Sequence, residues 1–164
     1  MSGKLNGKEY IRKLINIEYL SIGIPLPFFI WVYLESTAET LIPIIHQDYN
    51  TSVLILVIAT SSLLLVWGYK NYNKRLSEAK EKEFLLEKLQ LYQRGSTILF
   101  ISYSISSMLI SIGFFVTDFQ IFAALFGIMI VLFSINNPNS RKVVNDLKLK
   151  DHEREIILNG LDLS

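Results

Sequence analysis

Apolar residues in this chain gather into four runs free of Lys and Arg: Tyr19 to Leu34, Val53 to Tyr69, Ser96 to Val116 and Phe119 to Ile135. A helix rises 1.5 Å per residue and the hydrocarbon core of a bilayer is about 30 Å thick, so runs of this length, helped by their flanks, predict four transmembrane helices. The second run holds ten Val, Leu and Ile residues. Each favours the bilayer centre by about 0.3 to 0.6 kcal/mol, which outweighs the cost of Thr60, Ser61 and Ser62. After the basic N-terminal segment come Pro25, Pro27 and the bulky stretch Phe28 to Tyr33, which do not make a small-residue cleavage site, so no cleaved leader is expected.

Between the second and third runs the pattern turns to mixed charge, with Glu78, Glu81, Glu83 and Glu87 interleaved with Lys80, Lys82 and Lys88. Glu78 and Lys82 form one favourable i,i+4 pair, and neither Pro nor Gly occurs before Gly95. The second span is therefore expected to continue as helix into the connection, with Gly95 as the break before the third. Leu85, Leu86, Leu89 and Tyr92 make an apolar stripe on that connection. It can pack on the C-terminal tail, lie on the membrane or meet another chain, and Leu85, Leu89 and Tyr92 are the candidate partner-docking residues. Past the fourth run, Asn136 to Ser140 ends the helix and supplies a cap for a short one with Val143, Val144 and Leu147 on its apolar face. A second cap is expected at Asp151 and a stop at Gly160. The fold expected is an all-α polytopic membrane protein with four transmembrane helices. Residues 1–135 form the transmembrane domain with its helical connection 70–95, and residues 136–164 form a helical tail.

Charge sets the expected threading. The sixteen Lys and Arg fall as four before the first run, seven in the middle connection and five in the tail. The connection Glu35 to Ser52 and the pair Thr117–Asp118 carry only acids: Glu35, Glu39, Asp48 and Asp118. Positive residues stay on the cytoplasmic side, so both termini are expected there, in the plasma (bacterial inner) membrane, and an even number of spans follows. With 51% hydrophobic and 19% charged residues and a net charge of +1, the chain is too apolar for an average soluble domain and has no basicity that points to nucleic acid. The tail sets five basic residues against five acids, which argues the same way. No cysteine is present, which excludes thiolate catalysis, disulfides and thiolate metal sites.

In lipid, helices associate by close approach, so small residues mark the expected interfaces. At 100° per residue, Ser102, Ser106 and Gly113 share one face of the third span, and Ser104, Ser107 and Ser111 share the opposite one. Two small faces imply neighbours on both sides and make this the least lipid-exposed helix. Ala123, Gly127 and Ser134 form a stripe on the fourth span, the expected partner of one serine face.

Pro25 and Pro27 remove backbone donors, so the first span is expected to kink. Glu18 lies at its mouth. Counting back from Leu34 places this carboxylate in the headgroup region beside Arg12 or Lys13, whereas an intramembrane position would make it a functional group by default. In the outer connection a short interfacial helix is expected around Leu41 to Ile45. His46 and Asp48 give too few ligands for a metal. No phosphate-binding loop, catalytic carboxylate pair or nucleophile with a base occurs, so no enzyme activity, catalytic residue, metal or cofactor is expected.

Two stretches, Lys88-Leu89-Gln90-Leu91-Tyr92 before the third span and Pro138 through Asp146-Leu147-Lys148-Leu149 after the fourth, carry a resemblance. With this layout the chain resembles small bacterial inner-membrane proteins of four spans and a basic helical connection, a group without known activity. Glu18, at the mouth of the first span, is also similar to the membrane glutamate that small multidrug-resistance transporters carry in theirs, from which the long charged connection and tail depart. The leading expectation is a non-enzymatic accessory or scaffold protein of the lipid bilayer. It would dock another membrane or cytoplasmic protein, or form a homo-oligomer, through its cytoplasmic helices. The alternative is a small dimeric proton-coupled transporter using Glu18 near Pro25.

Overall fold

Apolar runs flanked by good helix formers fold locally into helices, and the computed structural model, which describes residues 6–162, is built from them. The order is α1 (Gly7–Gly23), α2 (Pro25–Thr37), a 3-10 turn (Gln47–Tyr49), α3 (Asn50–Lys80), α4 (Leu85–Thr117), α5 (Ile121–Ile135), α6 (Ser140–Leu147) and α7 (Asp151–Asn159). Among the described residues the extended pairing is confined to one isolated bridge, Asn6 with Asp162.

Three helical paths are long and apolar enough to cross a membrane: Gly7–Thr37, Gln47–Lys80 and Leu85–Thr117. A fourth is reached when α5 and α6, broken at residues 136–139, are counted together. The first path is interrupted at Ile24, where the chain restarts with Pro25 at the beginning of α2. Proline is tolerated there because the first amides of a helix have no intrahelical acceptor in any case. Of the three paths, Leu85–Thr117 is the most enclosed: 56% of its most apolar stretch is buried, against 17% for each of the others.

Four local features differ from the sequence reading. The connection is not one helix, since α3 stops at Lys80 and α4 starts at Leu85 without a Gly or Pro between them. Gly95, expected as a break, lies inside α4, and a Cβ on it would stand 3.1 Å from the Cβ of Arg75. Glycine serves there as the point of close approach of α3 and α4. The segment Leu41 to Ile45 is not helical, because Ile44 and Ile45 both donate their amides to the Val116 carbonyl, at 3.0 Å each. Finally, α7 is preceded by Lys150 without a side-chain cap, and Asp151 is the first helical residue instead. The expected cap of α6 is present, with Asn139 Oδ1 accepting from the Lys142 amide at 2.8 Å, and Gly160 (φ +69°) closes α7.

The helices contribute to two compact units. The first comprises Met1–Tyr19, Tyr69–Leu99 and Asn137–Ser164, and the second Leu20–Gly68 and Phe100–Asn136. In the first unit Tyr10, Leu14, Tyr72, Ala79, Leu89, Tyr92, Val143, Leu147 and Ile157 are buried. A Cβ on Gly7 would lie 2.4 Å from the Ile156 carbonyl oxygen, so the start of α1 can approach α7 only as glycine.

The core of the second unit is aromatic. Phe122, Phe126, Met129 and Phe133 recur at intervals of four, three and four along α5 and are all buried. Phe29 stacks on Phe126 with ring centroids 3.9 Å apart, and Phe100 lies parallel to Phe133 at 6.2 Å.

Candidate functional site

The polar chemistry of the first unit centres on one carboxylate. Val143, Val144 and Leu147 turn one face of α6 inward, which carries the neighbouring Asp146 to the margin of the core. Its Oδ2 accepts from Tyr72 Oη of α3 at 2.8 Å and from Tyr92 Oη of α4 at 2.9 Å. The two rings meet edge to face, with centroids 6.0 Å apart. Burial pushes both phenol groups well above the ordinary tyrosine range, so they remain donors to Asp146 across the physiological range. Two further bonds tie the same elements together. Tyr10 Oη of α1 donates to the Leu89 carbonyl at 2.8 Å, and Lys88 Nζ bonds both carboxylate oxygens of Glu153 on α7 at 2.7 and 2.8 Å.

This arrangement decides the fate of the expected docking stripe. Leu89 and Tyr92 are 1% exposed, packed within their own unit rather than presented to a partner. Leu85 is half-buried, and the exposed apolar residues here are Phe84 at the end of the turn and Leu86 in the first turn of α4. Amphipathicity located a buried face without naming its occupant, and Leu89 and Tyr92 meet this chain's own α1, α3 and α6. The two stretches singled out by resemblance meet here, through Tyr92 with Asp146.

Glu18 is buried rather than held beside Arg12 or Lys13, which are both exposed. The reason is helical phase: Tyr10, Leu14 and Glu18 follow at intervals of four on the inner face of α1. Glu18 Oε2 has no hydrogen-bond partner among the described residues. Pro25 is buried at the start of α2, and Pro27 is exposed two residues further on.

On α4, Ser102, Ser106, Ser107, Ser111 and Gly113 are all buried and Ser104 is half-buried, so one small face is fully covered and the other largely so. Ser106 Oγ donates to the Ser61 carbonyl of α3 at 3.4 Å. Ser111 donates to Ser107 O within its own helix at 2.9 Å, as Thr117 does to Gly113 O at 2.6 Å. The hairpin between α4 and α5 packs differently from the expected small-on-small contact. Gly113 faces the Phe122 ring, where a Cβ would come within 2.6 Å. Gly127 has nothing within 4 Å of its Cβ position, Ala123 is half-buried and Ser134 is exposed. A small stripe needs a backbone close to it, and here the phenylalanine row claims the inward face.

Sequence reasoning assigned no role to Tyr10 or Tyr72 and quoted Asp146 only within a stretch of resemblance. A signal existed in the number 82, which lies midway between Tyr72 and Tyr92. A turn at that point sets the two tyrosines opposite each other, but no turn residue announces it.

In the outer connection His46 Nδ1 pairs with Asp48 Oδ2 at 3.0 Å, both strongly exposed. Beside it a hollow is lined by Gln47, Asn50, Thr117 and Asp118, in which Asn50 Oδ1 and Asp118 Oδ1 are buried without a partner. Among the described residues no three His, Asp or Glu side chains converge as metal ligands. No family model, curated protein or solved structure matches the chain.

Proposed function

We propose that the chain is a bacterial inner-membrane protein that crosses the bilayer four times with both termini in the cytoplasm, and that it acts without catalysis as an accessory or scaffold component. One observation carries this reading. Packing alone divides the fold into units, and among the described residues every Lys and Arg falls in the first. The second unit holds only Glu35, Glu39, Asp48 and Asp118 as charged side chains. Segregation of this kind is what retention of positive charge in the cytoplasm produces, and it supports a cytoplasmic helical unit continuous with a membrane-embedded one. The fourth passage falls to α5. Its 15 residues reach roughly 22 Å, which flanking residues and modest bilayer thinning extend to a full crossing. The bonds of Asp146 and Lys88 are spent on holding helices together, which supports a structural role. With Leu89 and Tyr92 enclosed, contact with a partner or a second copy passes to the surface at Phe84 and Leu86.

Reporters fused after residue 45 are expected to be external, and those near residue 85 and at the C-terminus cytoplasmic; an external signal at residue 85 overturns the threading. Crosslinking of the intact protein is expected to lose its products in a Phe84→Ser, Leu86→Ser variant. Unchanged products would remove this surface from the reading.

A second reading, a dimeric proton-coupled transporter, is favoured by the burial of Glu18, with an unpartnered oxygen, immediately before the first apolar run. Glu18→Gln then abolishes proton-coupled flux in liposomes, and retained flux ends that reading.

A further inference from the structure

Within the first unit α1, α6 and α7 leave a groove of about 700 Å³ between them, of a size that takes a small polar head. Lys8 and Arg12 stand one turn apart on its α1 wall, with Ile11 and Ile15 beside them. Ser140 and Leu158 line both this groove and an adjoining hollow that contains Arg141 and Arg154. Two cations thus line the groove and two more the hollow that adjoins it, against Glu9 as the acid among their lining residues. None of the four cations forms an ion pair or hydrogen bond through its side chain with another described residue. Three cations elsewhere in the unit are paired, Lys88 with Glu153, Arg75 with Glu78 and Lys82 with Glu87, whereas Lys74 and Lys80 stand exposed like the groove cations but line no hollow among those described.

We infer that this groove binds the headgroup of an anionic phospholipid, its phosphate beside Lys8 and Arg12, the rest of the head reaching past Ser140 toward Arg141 in the adjoining hollow, and its glycerol and first acyl carbons along Ile11 and Ile15. Charge complementarity selects an anion. The apolar track selects an anion with a tail: Ile15 lies one turn, about 6 Å, before Tyr19, where the first apolar run begins, and Ser140 follows Ile135 by five residues. Ile15 and Ser140 thus bring part of the lining to the mouths of apolar segments, the place where a headgroup meets protein, while Ile157 to Gly160 at the end of α7 close the other side. Basic pockets on the cytoplasmic side of transmembrane helices recognise lipid heads in this way. The inference rests on the membrane reading above. It adds that the first unit is fastened to the leaflet by a specific lipid as well as by its own helices.

The test uses the full chain in detergent micelles, with bound lipid counted by native mass spectrometry against phosphatidylglycerol and phosphatidylcholine. The parent is expected to retain phosphatidylglycerol selectively. Arg12→Gln with Arg141→Gln should weaken that binding about 30-fold, whereas Lys74→Gln with Lys80→Gln, at exposed positions outside the groove, should leave it unchanged. Equal retention of the two lipids by the parent, or undiminished selectivity in the Arg12, Arg141 variant, overturns the inference. Displacement of the lipid by inorganic phosphate at equal concentration also overturns it, because the groove would then recognise free phosphate. Release of the parent from membranes by alkaline carbonate would instead count against the membrane reading, which the groove variants leave intact.

Discussion

The two units hold their helices together by different means. In the first, polar atoms converge on named partners: Asp146 accepts two tyrosines, Lys88 grips Glu153, and Tyr10 reaches a backbone carbonyl. In the second, the hydroxyls of α4 largely serve their own or a neighbouring backbone, and shape does the joining, with Phe29 flat on Phe126 and Gly113 under Phe122. Each strategy suits its expected solvent. Water drives apolar side chains inward but leaves charged and phenolic groups free to bond elsewhere, so directed bonds fix which helices meet. Lipid offers no hydrophobic gain on association, so close packing must supply the attraction.

The sharpest break in this comparison is Asp146→Ala. It leaves two buried phenol groups without an acceptor, at roughly 1 to 3 kcal/mol for each, and should lower thermal stability in detergent by about 3 kcal/mol. The tail beyond Asn137 should become sensitive to protease while α4 and α5 stay protected; a resistant tail would mean that apolar packing alone holds α6 and α7.

Glycine substitutions probe the second unit. Gly113→Ala forces a Cβ into the Phe122 ring, an overpacking cost of about 1 to 3 kcal/mol. Gly127→Ala meets open space and should stabilise α5 by up to about 1 kcal/mol through helix propensity. Unfolding curves that move in opposite directions for the same chemical change verify the packing of the hairpin; equal shifts would place both glycines in one environment.

The smallest expected effect is that of Lys88→Gln. The pair with Glu153 is only partly buried, so its loss should cost about 1 kcal/mol or less. Added salt should weaken the parent and narrow the gap to the variant. A salt-independent difference would show that the lysine acts through packing of its stem.

Much of this was legible in the chain. Run length and charge order predicted the helices, and the spacing of Ser102, Ser106 and Gly113 marked α4 as the most enclosed of them. The identity of what encloses each face was not legible. Leu89 and Tyr92 read as a free docking stripe because periodicity reports that a face is apolar and carries no information about its partner. The Ala123 to Ser134 stripe lost its expected role because small residues permit close approach without requiring it. Glu18 was carried inward by the phase of Tyr10 and Leu14.

What the sequence determined by itself is therefore local or summed along the chain: where helices run, where Asn139 caps and Gly160 stops them, and which segments carry every Lys and Arg. These depend on neighbours within a few residues and on charge counts. Only the tertiary structure decided the turn at residues 81–84, which no Gly or Pro encodes, together with the meeting of Tyr72, Tyr92 and Asp146 and the seating of Gly113 beneath Phe122. Each of these joins residues distant in sequence, and the choice of partner follows from competition among faces for one core, a property that no single segment contains.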